Sequence, residues 1–306
     1  MPTPAISLQG LTKYYGRDLG VADVTFDVFP GEVIGFLGPN GAGKTTTMRC
    51  LVGLLNITSG RAHILGQEVS VTASGLRARI GYLPGAPALY RNLTGLEHLN
   101  FLAKMRHVDC GEQIRSMAER FDLDLGRRIH ELSKGNQQKV AVIAAFMHKP
   151  DVLILDEPTS GLDPIVQREF SAIVDEMQTR GAAVLLSSHV LSEVEHLADR
   201  VVIVNAGKQL LVQEISRLQE KTVRTIDLYF ASPVKAELFV GIVGVKDIRV
   251  YGNRVSCTVI GAENALLCCA VDNGLESVQT HESSLDDIFF SLVSGGDPNG
   301  FAAKNG

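Results

Sequence analysis

Residues 33–46 read VIGFLGPNGAGKTT: five apolar residues, Val33, Ile34, Gly35, Phe36 and Leu37, followed by a glycine-rich turn from Gly38 to Thr46. The apolar run has the length of a buried strand and Met48 to Leu55 continues as a helix, so the turn lies between the two. Gly38, Gly41 and Gly43 let the backbone fold tightly with its N–H groups turned inward, and the helix starting near Lys44 adds the positive end of its dipole. The spacing G-x-x-x-x-G-K-[ST] is that of a phosphate loop. Gly38, Pro39, Asn40, Gly41, Ala42, Gly43, Lys44, Thr45 and Thr46 are therefore candidate contacts for a nucleoside triphosphate. Lys44 offers a point charge to the β and γ phosphates, and the Thr45 hydroxyl a ligand for Mg²⁺.

The chain around this loop is ordinary in bulk: 306 residues, 45% hydrophobic, formal net charge −5. That is enough for one large domain and one small one. No Lys/Arg run exceeds two residues, which argues against nucleic acid as a partner and against an anionic-lipid anchor. The five cysteines, Cys50, Cys110, Cys257, Cys268 and Cys269, include no C-x-x-C spacing and read as thiols in a reducing compartment. The start, MPTPAISLQG, lacks the basic and apolar regions of a signal peptide. The longest apolar runs, such as Val140 to Met147, fall well short of the roughly 18 to 20 residues of a membrane helix. Any work at a membrane requires another subunit to span it.

Strand patterns at Ile6 to Leu8, Val24 to Phe29, Val33 to Leu37, Asp151 to Leu155 and Ala183 to Ser187 alternate with helical stretches, which predicts a largely parallel sheet covered by helices. Residues of about 90–145 read as helical, with Thr94 and Glu97 spaced for a capping box. Around residue 221 the pattern changes. Thr225 to Phe230 reads as a strand, Val234 to Val243 as a helix, Val245 to Tyr251 and Arg254 to Ile260 as a hairpin turning at Gly252-Asn253, Asn264 to Val271 as a helix and Leu275 to Thr280 as a strand. This β-α-β-β-α-β order is the ferredoxin-like arrangement. A last helix is expected from Ser284, and a disordered tail over 294–306.

Two further segments bear on chemistry. Val152 to Leu155 is a buried strand pattern ending in Asp156-Glu157, and the chain leaves the sheet at Pro158, so both carboxylates can reach the crevice beyond the strand end. One can hold Mg²⁺ while the other polarises the attacking water. Ser187-Ser188-His189 ends the next strand at the same level, which makes His189 a candidate γ-phosphate contact.

With these in place the chain resembles the ATP-binding subunit of an ABC transporter. Leu132 to Gln138, LSKGNQQ, is similar to the family signature LSGGQ, Ser160-Gly161-Leu162-Asp163 to the loop after the second carboxylate, and Tyr15 in LTKYYG to the aromatic that stacks on adenine, with Tyr14 as the alternative. The motifs run in family order over residues 5 to about 220. The resemblance implies an α/β P-loop NTPase with an ABC-type helical subdomain over 90–145, followed by a small α+β domain over 221–293. It implies ATP and Mg²⁺ as cofactors, Asp156 and Thr45 as metal ligands, and Lys44, Glu157 and His189 as catalytic residues. It also implies that Ser133 and Gly135 complete the γ-phosphate cage of a second, paired ATPase subunit. The implied partners are separate membrane-spanning permease subunits, with the chain on the cytoplasmic, inner face of the membrane.

Two positions depart from the family. Gly85, after Ile80 to Pro84, stands where a Gln usually touches Mg²⁺ or the attacking water, and Lys134 and Asn136 alter the signature. Residues 222–293 resemble the C-terminal extension of ATPases from bacterial drug, antibiotic or ion exporters, which makes export the expected direction and a regulatory or dimer-supporting role the expected use of that domain. The competing reading is a soluble ATP-driven switch of the same superfamily. A GTPase or small-molecule kinase would leave LSKGNQQ and His189 unexplained.

Overall fold

A computed structural model describes residues 3–71, 74–220, 223–260 and 263–282. Two compact units divide between Val212 and Gln213.

The first unit opens with β1 (Ile6–Tyr15) and β2 (Asp18–Val28), an antiparallel pair turning at Gly16, whose φ of +64° suits glycine. Next come β3 (Val33–Leu37), α1 (Lys44–Leu51), β4 (Ser59–Ile64), β5 (Gln67–Glu68), α2 (Ser74–Arg77) and β6 (Ile80–Leu83). The helices α3 (Gly95–Met105), α4 (Gly111–Arg120) and α5 (Lys134–Phe146) follow, then β7 (Val152–Asp156), α6 (Pro164–Thr179), β8 (Ala183–Ser188), β9 (Arg200–Asn205) and β10 (Lys208–Glu214). The ten strands form one sheet in the order β5-β4-β1-β2-β10-β9-β3-β8-β7-β6. From β9 to β6 neighbours run parallel, whereas β1 pairs antiparallel with both β2 and β4. The sheet is therefore mixed, not largely parallel. Only two residues separate β1 from β2, and so short a link can return the chain only antiparallel.

Every residue of β3, β7 and β8 is buried, as strands covered on both faces require. Ile34, Phe36, Ile154, Leu185 and Val202 share a core cluster with Met48 and Leu51 of α1, which fixes that helix against the sheet. The helical region follows its local signals. Thr94 Oγ1 accepts from Glu97 N (3.2 Å) while Glu97 Oε2 accepts from Thr94 N (2.8 Å), closing the predicted capping box on α3. Phe146 of α5 meets Phe170 of α6 edge-on at 6.0 Å, and Arg120 of α4 pairs with Glu169 and Glu176 of α6.

The second unit contains α7 (Ile215–Glu220), β11 (Val223–Phe230), β12 (Val245–Tyr251), β13 (Arg254–Ile260), α8 (Asn264–Asp272) and β14 (Leu275–Glu282). Its sheet runs β12-β13-β11-β14 with every neighbouring pair antiparallel. Ile226, Leu228, Phe230, Val255, Cys257 and Val259 pack under Phe239, Leu266 and Ala270. The helix expected over Val234–Val243 is not formed. Only a 3₁₀ turn, Ala236–Leu238, stands there, because Gly241 and Gly244 take φ of +89° and +86° and end helical progress. The helix expected from Ser284 and the tail from 294 lie outside the described residues. Among the described residues no helix is long and apolar enough to cross a membrane.

A buried imidazole makes the first unit acid-sensitive. His148, just after α5, bonds the Ile80 carbonyl through Nε2 (3.2 Å), so that nitrogen carries the proton. Its Nδ1 is buried without a partner, and the Arg106 guanidinium converges on the same carbonyl (3.5 Å). Burial, aided by Arg106, pushes the His148 pKa down from 6.5 to about 4. A depressed folded pKa gives stability that is present above 6.5 and lost as the pH falls towards 4. The melting temperature should therefore fall over that window, and His148→Gln should flatten the fall. An identical pH slope in the variant would contradict this.

Candidate nucleotide site

The site is built on strand register. Leu37 at the end of β3 pairs with Ser188 of β8, and Asp156 at the end of β7 pairs with Ser187, so the loops leaving β3, β7 and β8 start at one level. In an open α/β sheet that carboxyl end is where ligands bind.

The loop after β3 is the glycine-rich turn. Gly38 N donates to Ser188 O (3.3 Å), and Ala42 N donates to Pro39 O (3.1 Å). Gly43 caps α1 at φ +100°, and an added Cβ would lie 2.7 Å from Gly20 O, so only glycine fits. No side chain caps α1, which leaves its first N–H groups facing the crevice for an anion. The Lys44 side chain is only 6% exposed. Its Nζ donates to Gly38 O (2.6 Å) and Pro39 O (3.4 Å) and pairs with Glu157 Oε1 at 3.2 Å.

The carboxylates meet the loop directly. Thr45 Oγ1 donates to Asp156 Oδ2 (2.7 Å), and Ser187 Oγ donates to Asp156 Oδ1 (2.7 Å) while accepting from Glu157 N (3.0 Å). Glu157 stands at φ +50°, a left-handed conformation that costs on the order of 1–3 kcal/mol for a residue other than glycine. In that conformation its Oε2 reaches His189 Nδ1 at 2.8 Å while Oε1 faces Lys44. One carboxylate thus bridges the phosphate-loop lysine and the strand-end histidine. Burial, with Asp156 as the next contribution, raises the pKa of the neighbouring Tyr82 phenol.

Tyr15 reaches the loop through its hydroxyl, 3.3 Å from Thr46 Oγ1, with its ring half-exposed and Lys13 Nζ 5.5 Å from the ring centroid. Tyr14 instead donates its backbone N–H to Thr58 Oγ1. Ser133 and Gly135 are not brought to this cluster. Ser133 caps α5 by accepting from Asn136 N (3.2 Å), and a Cβ on Gly135 would lie 2.9 Å from Gly161 O. Among the described residues, no hydrogen bond joins 133–136 to 38–46.

Two contributors escaped the sequence reading, Ser187 and Gln138. Ser187 clamps both carboxylate residues; the alternation of side chains along β8, which turns Ser187 and Ser188 to opposite faces, was the available signal. Gln138, buried within LSKGNQQ, donates Nε2 to Pro158 O (3.0 Å) and so ties α5 to the loop after Glu157. Gly85 lies at the carboxylate itself: a Cβ there would be 3.3 Å from Asp156 Oδ2. No group of three or more His, Cys, Asp or Glu suited to a metal occurs among the described residues.

The ABC transporter family model matches residues 21–160. The chain is 32% identical over 95% of its length to the bacitracin transport ATP-binding protein BcrA of Bacillus licheniformis, covering 98% of that protein. It is 38% identical to the probable multidrug ABC transporter ATP-binding protein YbhF of Escherichia coli, over 66% of this chain and 36% of that one. A solved ATP-binding subunit of an ABC transporter superposes with a TM-score of 0.67 at 31% identity, covering 71% of this chain and 92% of that structure.

Lys44→Ala removes the one side-chain cation facing the strand-end carboxylate within the loop, so affinity for a fluorescent ATP analogue should drop at least about tenfold, roughly 1.4 kcal/mol. Undiminished binding would mean that the triphosphate lies elsewhere.

Proposed function

We propose, from the premise that this chain belongs to the ABC transporter family as an ATP-binding subunit, that its ATP hydrolysis drives export through separate membrane-spanning subunits, with the chain on the cytoplasmic face of the membrane. Its reaction is hydrolysis of ATP coupled to transport. Export is supported by the relatives named for bacitracin and multidrug transport, the first of which shares nearly the whole length of this chain. Cargo choice would rest with the membrane subunits.

The observation that carries the reading is the meeting of the phosphate loop with two strand-end carboxylates, through Thr45–Asp156 at 2.7 Å and Lys44–Glu157 at 3.2 Å. In the proposed site the N–H groups of 38–46 and the Lys44 ammonium hold the triphosphate, and the Tyr15 ring stacks on adenine. Thr45 and Asp156 offer Mg²⁺ hard oxygen ligands, which suits an ion that keeps few protein ligands and draws others from phosphate and water. Once bound, that ion neutralises charge building on the phosphates. Glu157 orients and polarises the attacking water, and His189, held by Glu157 Oε2, is the imidazole contact for the γ-phosphate. Gly85 contributes no side chain, so the space beside Asp156 belongs to solvent or backbone.

Ser133 and Gly135, uncommitted to the site of their own chain, complete the cage of a second ATPase subunit across a two-fold interface. The strand order of the second unit supports a ferredoxin-like regulatory or dimer-supporting module, with the first of its two helices reduced to a turn.

Glu157→Gln keeps the shape of the side chain but lacks the charge that polarises water. It should bind ATP, cut the hydrolysis rate by about 10²-fold or more, and accumulate an ATP-bound dimer visible by light scattering. Normal turnover in this variant would remove Glu157 from the role.

A further inference from the structure

The Glu157–His189 pair is the contact on which the proposed hydrolysis rests, yet both residues leave strand ends on loops, and Glu157 holds an unfavourable backbone conformation. Something must hold the two loops in register. On one side Ser187 does so, bonding Asp156 and the Glu157 N–H. On the other side the brace comes from a residue outside every motif of the sequence. Glu193 Oε2 accepts from Ser188 Oγ (2.8 Å) and from Thr159 Oγ1 (3.2 Å). Ser188 immediately precedes His189, and Thr159 lies two residues beyond Glu157. Ser188 Oγ in turn accepts from Val190 N (3.0 Å), so the bonds on this hydroxyl flank His189 on both sides.

The geometry points to Glu193 as a positioning residue for hydrolysis: a single carboxylate oxygen fastens the chain after Glu157 to the chain before His189. Charge-assisted hydrogen bonds are the strong ones, and the ion pairs described give Glu193 no cation to compete with the two hydroxyls. The brace acts on the orientation of water activation, not on the phosphate loop, which Glu193 does not touch. Its loss should therefore lower turnover while leaving nucleotide binding in place.

The inference depends on the ATPase reading, and steady-state ATP hydrolysis by the purified full chain, with ATP-analogue binding measured in parallel, separates the two. Glu193→Ala should lower kcat about tenfold or more with KM and analogue affinity changed less than about twofold. Glu193→Gln keeps an amide oxygen able to accept both hydroxyls and should restore kcat to within about threefold. Thr159→Val should lose part of kcat, and adding it to Glu193→Ala should cost little more, because both changes break one linkage. Wild-type kcat in Glu193→Ala, a Gln variant as slow as the Ala variant, or additive losses would each overturn the inference while the ATPase reading stands. Should Glu193→Ala fail to fold, a wild-type kcat in Thr159→Val overturns it equally. A wild-type chain that binds the analogue but never hydrolyses ATP would overturn both.

Discussion

The parallel register of β3, β8 and β7 is the constraint on which the rest depends. Because Leu37 pairs with Ser188 and Asp156 with Ser187, a phosphate loop, two carboxylates and a histidine that lie up to about 150 residues apart in sequence emerge at one level of one sheet. Parallel strands need crossovers, and burial on both faces fixes their register strongly, since a slip would turn apolar side chains against the wrong layer. The fully buried runs VIGFL, VLILD and AVLLSS therefore do two things at once: they form the core and they set the height at which the chemistry sits.

Within that frame the site is a closed set of polar contacts. Lys44 is almost wholly buried, and a buried charge persists only when paired and hydrogen-bonded; two carbonyls and Glu157 provide this. Asp156, also buried, is satisfied by the hydroxyls of Thr45 and Ser187. Glu157 keeps its left-handed backbone because Ser187 holds its N–H and Gln138 holds the next carbonyl. Strain at one residue is thus offset by bonds from two different elements, β8 and α5, the usual circumstance in which such conformations survive. The same contacts link the signature helix α5 to the loop after Glu157, which gives movement of that helix a physical route to the carboxylate.

What could be read from the sequence was what fold and chemistry both demand of one short segment. The run from Val33 to Thr46 needs its apolar strand, its glycines and its lysine whatever surrounds it, and the strand ending at Asp156-Glu157 is similarly self-contained. The capping box at Thr94 and Glu97 was legible for the same reason. Contacts that depend on distant register were not. Ser187 looks like any strand serine until β7 lies beside it, and Glu193 meets Thr159 across 34 residues of sequence. The helix expected over Val234–Val243 failed where Gly241 and Gly244 outweighed apolar periodicity, and the antiparallel half of the main sheet followed from a turn too short for a crossover.

In a single chain the signature is spent on its own helix cap, with Ser133 bonded to Asn136, while the phosphate loop meets the strand-end carboxylates Asp156 and Glu157. Under the proposed function each complete site therefore draws on two chains: loop and carboxylates from one, Ser133 and Gly135 from the other. The direct measurement is ATPase activity in a mixture of Lys44→Ala chains and Ser133→Arg chains, each inactive alone. The mixture should regain part of the wild-type rate, because one heterodimer site joins the intact loop of the Ser133→Arg chain to the intact signature of the Lys44→Ala chain. No recovery, with heterodimers demonstrated by cross-linking, would contradict it.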